Sequence, residues 1–368
     1  MNEKTQPCTH CGAVHPRVNL TWMGSAELCP ECLPRYTVCC DCCGERIWMA
    51  NDYGTHYLHL CASCRADNYV TCENCGALIP QEDAHYNDED EAYCDSCYER
   101  GYGGTIHNYS YKPEPIFYGD GPLYLGVELE VDEAGKDNIN AVQALRAFNQ
   151  ENVYGYVKSD GSLNDGFELV THPCTLETHL QQVPWRETLE ALRGMGYRSH
   201  APGTCGLHVH VSRKALGKDV YEQEETIAKL LYIFERFWQE ILRFSRRTES
   251  QINHWAARYG YKDRGEEILK EAKHGANGRY ACINLTNTDT IEFRVFRGTL
   301  KYNTVIATLQ FVANLCRVAI SLPEYRIQEF SWPALIEALT QDNCPELVQY
   351  LKERNLYVNE PVTAEREV

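Results

Sequence analysis

The chain is poor in positive charge and lacks long apolar runs. Its 35 Lys and Arg residues face 52 Asp and Glu, which gives a formal net charge of −17 at pH 7. This balance disfavours broad nucleic-acid binding through the phosphate backbone and leaves room only for a local basic patch. No apolar run approaches the ~20 residues that span a bilayer. The opening MNEKTQPCTH lacks the charged-then-apolar pattern of a signal peptide. We therefore expect a cytoplasmic protein without a membrane partner.

Two common nucleotide-binding loops are also missing. The sequence contains neither G-x-x-x-x-G-K-[ST] nor the Gly-rich loop of protein kinases. A nucleotide bound by this chain would therefore be held by other residues.

Cysteine, by contrast, is abundant at the start of the chain. Fourteen of the 19 cysteines precede residue 98, and Cys8, Cys40 and Cys72 open C-x-x-C-G motifs 32 residues apart. A second C-x-x-C motif follows each after 17 or 18 residues. Paired spacing without a signal peptide favours metal ligands over disulfides, so residues 1–100 are predicted to form three tandem zinc modules, each with four cysteine ligands. The predicted ligands are Cys8, Cys11, Cys29 and Cys32; Cys40, Cys43, Cys61 and Cys64; and Cys72, Cys75, Cys94 and Cys97.

The second module offers a choice of ligands, and the role of all three modules stays open. The 32-residue register selects Cys40 and Cys43, but Cys39 and Cys42 could replace them in a swapped pairing. Residues 1–100 hold six Lys and Arg against sixteen Asp and Glu, and zinc thiolates add negative charge. Docking of a protein partner is therefore favoured over nucleic acid, and a purely structural extension carries equal weight.

The rest of the chain predicts one larger domain. Residues 101–122 are rich in Gly, Tyr and Pro and are predicted to be a linker or wrapping segment, the main domain covers 123–360, and 361–368 form a flexible tail. The patterns predict an α+β fold with helices packed on one face of a largely antiparallel sheet. Predicted helices cover about 138–150, 177–194, 219–247 and 303–321, with two short helices after them; predicted strands begin near 123 and cover about 153–158, 167–171, 206–212, 280–285 and 290–297.

Three of these strands carry chemically capable residues at positions i and i+2. They are Glu128 and Glu130 in GVELEV, His208 and His210 in GLHVHV, and Glu292 and Arg294 in IEFRV. Alternate side chains of a strand share a face, so each pair lies on one face with apolar residues behind it. Carboxylates bind Mg²⁺, and guanidinium groups neutralise phosphoryl charge. The sequence therefore predicts a cation-rich pocket built on a sheet, with Glu168 as a further ligand candidate.

Four motifs resemble, in the same order, those of the amidoligase family, which belongs to the glutamine synthetase and glutamate–cysteine ligase superfamily. They are GVELEVD, KSDGSLNDGFELVTHP, CGLHVHVSR and RYACINLTNTDTIEFRVFRGTL, within roughly 120–325. The resemblance implies a glutamine synthetase-like sheet and a ligase that uses ATP with Mg²⁺ or Mn²⁺ to join a carboxylate to an amine through an acyl phosphate. We expect an amine larger than ammonia, and the zinc modules could present a peptide or protein substrate.

The resemblance also implies residue roles. The implied metal ligands are Glu128, Glu130, Glu168, His208 and Glu292, and the implied contacts to phosphate, nucleotide or substrate are His210, Arg294, Arg279 and Asp160, with Arg297 close by in sequence as a further catalytic candidate.

Three other functions remain open. Cys205 lies three residues before His208 and could serve a thiol transferase or hydrolase. A phosphotransferase would stop at phosphoryl transfer and need no amine. A non-catalytic zinc adaptor would carry a degenerate ligase domain, although every polar position of the motifs is filled.

Overall fold

The computed structural model describes residues 5–87, 90–100, 103–274 and 278–357. The chain forms two compact units, Met1–Gly104 and Thr105–Val368. The tail predicted at 361–368 lies outside the described residues.

The first unit repeats one pattern three times. In each repeat a β-hairpin carries the first C-x-x-C motif in its turn, a short 3₁₀ helix follows, and a short α-helix carries or follows the second motif. The strands are β1 (Thr5–Pro7), β2 (Val14–Pro16), β3 (Thr21–Met23), β4 (Ala26–Leu28), β5 (Thr37–Cys39), β6 (Arg46–Trp48), β7 (Tyr69–Thr71), β8 (Leu78–Pro80), β9 (His85–Tyr86) and β10 (Ala92–Tyr93). The α-helices are α1 (Leu33–Tyr36), α2 (Ala62–Asn68) and α3 (Asp95–Glu99), and the 3₁₀ helices are Arg17–Asn19, Met49–Asn51 and Gln81–Asp83.

A glycine closes the turn of each first motif. Gly12, Gly44 and Gly76 have φ angles of 74°, 75° and 70°, a region that favours glycine. In the first repeat, the Gly12 N–H donates to the carbonyl of Cys8 at 2.9 Å, and the other two repeats show the same bond. The spacing of the cysteines and this turn therefore belong to one local motif.

The apolar core of each repeat is very small. The buried cluster of the first repeat consists of Cys8, Met23, Leu28, Cys29 and Cys32. The cysteines themselves are thus a large part of what is buried, as expected for units that depend on a metal for stability.

The second unit contains an eight-stranded sheet in the order β11-β13-β14-β12-β16-β18-β17, with β15 paired to β12. Its strands are β11 (Ile106–His107), β12 (Tyr124–Val131), β13 (Gly155–Lys158), β14 (Phe167–Thr171), β15 (Cys174–Thr175), β16 (Leu207–Ser212), β17 (Ile283–Asn284) and β18 (Thr290–Phe293). Only β11 and β13 pair in parallel; the other pairs described in this sheet are antiparallel. The predicted α+β class and largely antiparallel sheet are confirmed.

Helices of the second unit pack with the apolar face of the sheet into one core. They are α4 (Asn138–Phe148), α5 (Leu176–Gln181), α6 (Trp185–Gly194), α7 (Val220–Arg236), α8 (Trp238–Ser245), α9 (Glu249–Trp255), α10 (Gly265–His274), α11 (Tyr302–Ser321), α12 (Glu324–Gln328), α13 (Trp332–Leu339) and α14 (Pro345–Glu353). A 3₁₀ helix, Arg213–Ala215, follows β16.

Several boundaries differ from the sequence prediction for local reasons. The helix predicted over 219–247 breaks at Phe237, whose ψ of 33° is not helical. The helix predicted over 177–194 breaks before Pro184, because proline cannot continue a helix as an interior residue. Helices α9 and α10 were not predicted, and three helices, not two, follow α11.

The segment predicted as a linker or wrapping segment takes part in the sheet. Within 101–122, β11 pairs with β13, and Tyr118 forms an isolated bridge with Cys174. The described portion of this segment therefore wraps along the second unit.

Within the described ranges, one helix is long and apolar enough to cross a membrane by length and composition alone. Helix α11 has 20 residues, and 83% of its most apolar window is buried inside the protein. This burial is that of the central helix of a folded core.

Candidate active site

Four neighbouring strands bring the predicted residues onto one face of the sheet. In the register of β12 with β14 and β16, and of β16 with β18, Glu128 lies opposite His208, Glu130 opposite Glu168, and His210 opposite Glu292. The intervening residues point the other way: Val127, Leu129 and Val209, for example, are at most 1% exposed in the core. The period-2 pattern therefore produces a polar face and an apolar face as predicted.

The polar side chains are close enough to share ions. His208 Nδ1 lies 3.3 Å from Glu128 Oε2, 3.6 Å from Glu292 Oε1 and 3.9 Å from Glu130 Oε1. His210 Nε2 lies 3.3 Å from Glu128 Oε1. We call these residues together with Glu168 the carboxylate–imidazole cluster.

The donor set of this cluster fits divalent cations. The cluster contains two groups of three residues whose ligand atoms lie within 4.8 Å of one another. One group is Glu128, His210 and Glu292, and the other is Glu128, Glu168 and His208. Oxygen-rich sets with an occasional imidazole suit Mg²⁺ or Mn²⁺. His210 Nε2 is itself buried and faces the Glu128 carboxylate, so the imidazole lies where it could share an ion with that carboxylate.

The pKa shifts of the buried carboxylates indicate that a bound cation would stabilise the cluster. Burial raises the pKa of Glu168 well above its usual value, and the charge of Glu128 raises it further, against the opposing effect of Lys158. Burial also raises the pKa of Glu130. Burial would raise the pKa of Glu128 too, but the neighbouring imidazoles, His210 foremost, lower it well below its usual value. Buried carboxylates that compete for the same positive charge are suited to holding a cation.

One amide and two cationic side chains contact carboxylates of the cluster. Asn284 Nδ2 donates to Glu292 Oε2 at 2.7 Å, and Arg294 pairs with Glu292 Oε1. Lys158 Nζ lies 3.4 Å from Glu168 Oε2, and both side chains are buried. The i, i+2 relation of Glu292 and Arg294 thus takes the form of an ion pair beside the metal-type ligands.

A cleft of about 1450 Å³ opens over the cluster. This volume exceeds the ~300–1000 Å³ usual for a single small ligand, so the cleft has room for more than one substrate. Asp160 and Arg279 both line it. The Asp160 carboxylate accepts hydrogen bonds from the Ser162 backbone and hydroxyl, which shapes the loop between β13 and β14.

Arg279 lies at the exposed rim of the cleft between two tyrosines. It donates to the hydroxyls of Tyr109 and Tyr280, the second at 2.8 Å, and its guanidinium stacks over the Tyr280 ring at 4.9 Å. Arg279 therefore lies at the rim of the cleft, whereas Arg294 contacts a carboxylate of the cluster directly.

The structure does not bring Arg297 to the cleft. Strand β18 ends at Phe293, and Val295 and Phe296 are both buried, so the alternation that aims Glu292 and Arg294 into the cleft stops before residue 297. Arg297 lies near His200, whose pKa is lowered by burial and by the charges of Arg297 and Arg246.

Cys205 lacks the environment of a nucleophile. It is fully buried, and burial raises the pKa of its thiol to about 12. It does not line the cleft within the described residues. A reactive cysteine needs an accessible, stabilised thiolate, so this geometry disfavours the thiol-based alternative.

Sequence reasoning missed several residues that line the cleft. Lys158 and Asn284 stood inside the quoted motifs but drew no role. Arg247 stood outside every motif, and it reaches the cleft only because the chain turns after α8. Lys158 could have been found from the sequence, because it follows Tyr156 by two residues on β13 and strand alternation places both on the same face. No sequence pattern indicates Arg247.

The cysteines of the first unit form the three predicted tetrads. In each set the four sulfur atoms lie within 4.8 Å of one another: Cys8, Cys11, Cys29 and Cys32; Cys40, Cys43, Cys61 and Cys64; and Cys72, Cys75, Cys94 and Cys97. Backbone N–H groups, foremost that of Cys11 for Cys8 and that of Cys61 for Cys40, lower the pKa of both thiols to about 6. The tetrads fit zinc, which takes four thiolates in a tetrahedron.

The structure also distinguishes the spare cysteines of the second module. Cys40 is buried, whereas Cys39 is exposed. Cys42 and Cys43 are both exposed, and Cys43 is grouped with Cys40, Cys61 and Cys64 in the tetrad. Cys42 Sγ accepts a hydrogen bond from Asn68 Nδ2 at 3.7 Å, and in the third module Asn74 Nδ2 donates to the tetrad residue Cys97 at 3.2 Å. The geometry favours the register that the 32-residue repeat selects.

Comparison with known proteins gives distant similarities to solved structures. No curated protein matches the chain significantly. The chain is similar to the bifunctional glutathione synthetase from Pasteurella multocida, with 15% identity over 63% of this chain and 46% of that chain and a TM-score of 0.31. It is also similar to a chain of the complex between the prokaryotic ubiquitin-like protein Pup and its ligase PafA, with 10% identity over 63% of this chain and 62% of that chain and a TM-score of 0.29. The matched region spans less than half the length of the first of these.

Residues 146–316 match the model of a family described as "Putative amidoligase enzyme". The matched range contains Glu168, His208, His210, Glu292 and Arg294, and the remaining two carboxylates of the cluster lie on β12, which pairs with strands inside that range. The second unit of this chain is therefore similar to the amidoligase family over residues 146–316, which are just under half of the chain.

Proposed function

We propose that the protein is an ATP-dependent carboxylate–amine ligase that forms an amide or isopeptide bond through an acyl phosphate. The observation that carries this proposal is the convergence of carboxylates and imidazoles from four strands beneath a cleft large enough for several substrates. The amidoligase match over 146–316 supports the same class of reaction.

The charges of the site suit a nucleotide bound with divalent cations. Lys158, Arg247 and Arg294 line the cleft together with the carboxylates of the cluster. Divalent cations added to these groups would leave an excess of positive charge, and a triphosphate supplies the opposite charge. Glu128, Glu130, Glu168, His208 and Glu292 would hold Mg²⁺ or Mn²⁺, which polarises phosphoryl oxygens when bound.

The side chains of the protein then position the substrates and stabilise the charge that develops on the phosphoryl group. Arg294, held by Glu292, faces the phosphoryl group and neutralises the charge that spreads over its oxygens as the substrate carboxylate attacks the γ-phosphorus. His210, only partly buried, faces the cleft where it can contact phosphate or substrate, and Asp160 and Arg279 contact the substrates at the loop and the rim. The attack of the carboxylate on the γ-phosphorus displaces ADP as the leaving group. The amine then attacks the acyl phosphate, phosphate leaves, and the nitrogen gives up a proton to leave the amide.

The zinc modules extend the proposal. Each tetrad would hold one structural zinc ion, and the acidic first unit would dock a protein or peptide substrate for the ligase site. We expect a carboxylate and an amine as substrates, an amine larger than ammonia, and a cytoplasmic location.

The experiment is amine-dependent ADP release. Purified protein is incubated with Mg²⁺, ATP and panels of carboxylates and amines, with hydroxylamine as a small amine that traps acyl phosphates as hydroxamates. We expect ADP formation that requires a carboxylate, together with a hydroxamate. A stable phosphorylated product without any amine requirement would identify a phosphotransferase, and the absence of nucleotide binding and turnover would favour the zinc adaptor.

A further inference from the structure

The second module has two more cysteines than either of its neighbours. The additional thiols are Cys39 and Cys42, and both are exposed. Cys42 lies inside the turn of the first C-x-x-C motif, two residues after Cys40. Because the module is repeated, the other two copies show where the side chain at this position goes when it is not cysteine.

In the other modules the equivalent side chain turns toward the fourth ligand and the short helix beside it. In the third module the equivalent residue is Asn74, whose Nδ2 donates to Sγ of the fourth ligand Cys97 at 3.2 Å. In the first module it is His10, and the centroid of its ring lies 3.7 Å from that of Tyr36, at the end of α1. The turn of the motif therefore directs this position toward one end of the tetrad.

Cys42 makes the corresponding approach to the fourth ligand of its own module, Cys64. Asn68 Nδ2 donates to Cys42 Sγ at 3.7 Å and to the Cys64 carbonyl at 3.3 Å, so a single amide contacts both residues. Hydrogen bonds with neighbouring thiols, that of Cys61 foremost and that of Cys42 among them, raise the pKa of the Cys64 thiol. Cys42 is therefore a fifth thiol beside a site that needs four.

The pair formed by Cys42 and Cys64 is open to small reagents. Cys42 is exposed and Cys64 is half-buried, whereas the fourth ligand of the third module, Cys97, is buried. Asn74 also occupies the place of Cys42 there, and an amide cannot form a disulfide. Oxidation of cysteine follows exposure and the presence of a second thiol nearby, so the second module is the more susceptible of the two.

Cys43 is a poorer partner for Cys42 than Cys64 is. Cys43 is exposed too, but it directly follows Cys42 in the chain. Adjacent Cα atoms are about 3.8 Å apart, which is shorter than the span of an ordinary disulfide. The contact through Asn68 therefore makes Cys64 the favoured partner.

We propose that Cys42 and Cys64 are a site of reversible oxidation, at which a peroxide joins the two sulfur atoms and zinc leaves the second module. This inference goes beyond the ligase chemistry and rests only on the proposed zinc ions. Disulfides that form in a reducing compartment are usually transient and serve to sense oxidants, which agrees with the expected cytoplasmic location. The first and third modules lack the additional thiol and would keep their zinc.

The step is a two-electron oxidation. The Cys64 thiolate attacks one oxygen of hydrogen peroxide, the O–O bond breaks, and Cys64 becomes a sulfenic acid while the released hydroxide takes up a proton to form water. The Cys42 thiol then attacks the sulfenic sulfur, the S–O bond breaks, and the thiol proton leaves with the hydroxyl group as a second water. The peroxide is thereby reduced and the two sulfur atoms are oxidised. With Cys64 in a disulfide, the tetrad has only three thiolates left for zinc.

The test counts zinc ions in the full chain by native mass spectrometry during exposure to hydrogen peroxide. The zinc-loaded protein should lose one zinc ion before the other two, and peptide mapping should find Cys42 joined to Cys64. A thiol reductant with added zinc should restore the form with three ions. Loss of all three ions at one rate would overturn the proposal, and so would a disulfide between Cys39 and Cys42.

Substitutions exchange the proposed feature between modules. Cys42→Asn copies the third module, so it should bind three zinc ions and release none of them early; release from the second module should be at least about 10-fold slower than in the wild type, because a sulfenic acid at Cys64 lacks a thiol to react with. Asn74→Cys copies the second module and should make a second zinc ion easy to release. Cys39→Ser is the matched control and should behave as the wild type does.

Release from Cys42→Asn at the wild-type rate would overturn the oxidation site. If the asparagine variant does not fold, Cys42→Ser answers the same question. Binding of only two zinc ions by both variants before oxidation would make Cys42 a zinc ligand, and that result would also overturn its role as an additional thiol.

The proposed zinc ions and the proposed oxidation site fail in different ways. A protein that holds no zinc before oxidation would overturn the zinc assignment. Three zinc ions whose release does not depend on Cys42 would leave that assignment standing and overturn only the oxidation site. Neither result bears on the ligase proposal, which the release of ADP tests.

Discussion

The two units use metal-type ligands in opposite ways. In the first unit the ligands of each tetrad lie within one repeat, and the cysteines make up much of the small buried clusters. In the second unit the ligands come from strands far apart in sequence, and they lie on a sheet whose other face packs into one extensive core. On the proposed assignment, metal would complete the fold of the first unit, whereas the fold of the second unit would position the ligands of a metal site.

Metal removal should give the largest difference between the units. Structural zinc contributes roughly 10–16 kcal/mol of apparent binding free energy in small modules, so a strong chelator should unfold residues 5–100 while the sheet of the second unit persists. Hydrogen exchange followed by mass spectrometry, read peptide by peptide, measures this directly. Equal protection in both units after zinc loss would break the comparison.

Substitution of single cysteines tests which thiols of the second module bind zinc. Cys40→Ser should release one zinc ion and expose the second module to exchange, because it removes a tetrad ligand. Cys39→Ser, a change to the neighbouring exposed thiol, should retain three zinc ions by native mass spectrometry. The reverse result would establish the swapped register.

In the second unit, loss of a ligand should remove activity and leave the fold. Glu128→Gln and Glu292→Gln should each reduce ATP turnover by at least about 100-fold, the scale of losing a key electrostatic group. Both variants should still fold, but without metal each should unfold at a lower temperature than the wild type, because Glu128 is paired with His208 and His210 and Glu292 is paired with Arg294. Full turnover in either variant would remove that residue from the metal role.

A backbone change tests how closely the cluster is packed. Gly206→Ala places a methyl group against His208 and Arg247, so we expect a roughly 10-fold or greater loss of turnover and about 1–3 kcal/mol of destabilisation. Gly194→Ala, at the end of α6, is the control, because nothing lies within 4 Å of the added atom. Equal behaviour of the two variants would show that the approach to Gly206 is loose.

The smallest effect should come from Cys205. Because its thiol is buried, Cys205→Ser should lower stability by about 1–3 kcal/mol and leave turnover per folded molecule unchanged. A loss of turnover in a folded variant would revive the thiol-based function.

The comparison also explains how much the sequence could predict. The tetrads follow from local spacing, and the pairs Glu128/Glu130 and His208/His210 follow from strand alternation, so both were visible. Arg247 depends on a left-handed residue that ends a helix, which no periodicity reports. Arg297 was a candidate only because it lies close in sequence to Arg294, and it does not line the cleft because the alternation of β18 stops at Phe293.

The central claim is that the carboxylate–imidazole cluster binds divalent cations that hold a nucleotide. Electron paramagnetic resonance of Mn²⁺ tests it most directly, because it counts bound manganese without interference from zinc. The account predicts Mn²⁺ binding to the wild type that is strengthened by ATP and strongly weakened in Glu128→Gln and Glu292→Gln. Mn²⁺ binding that is the same in all three proteins, or that ignores ATP, would contradict it.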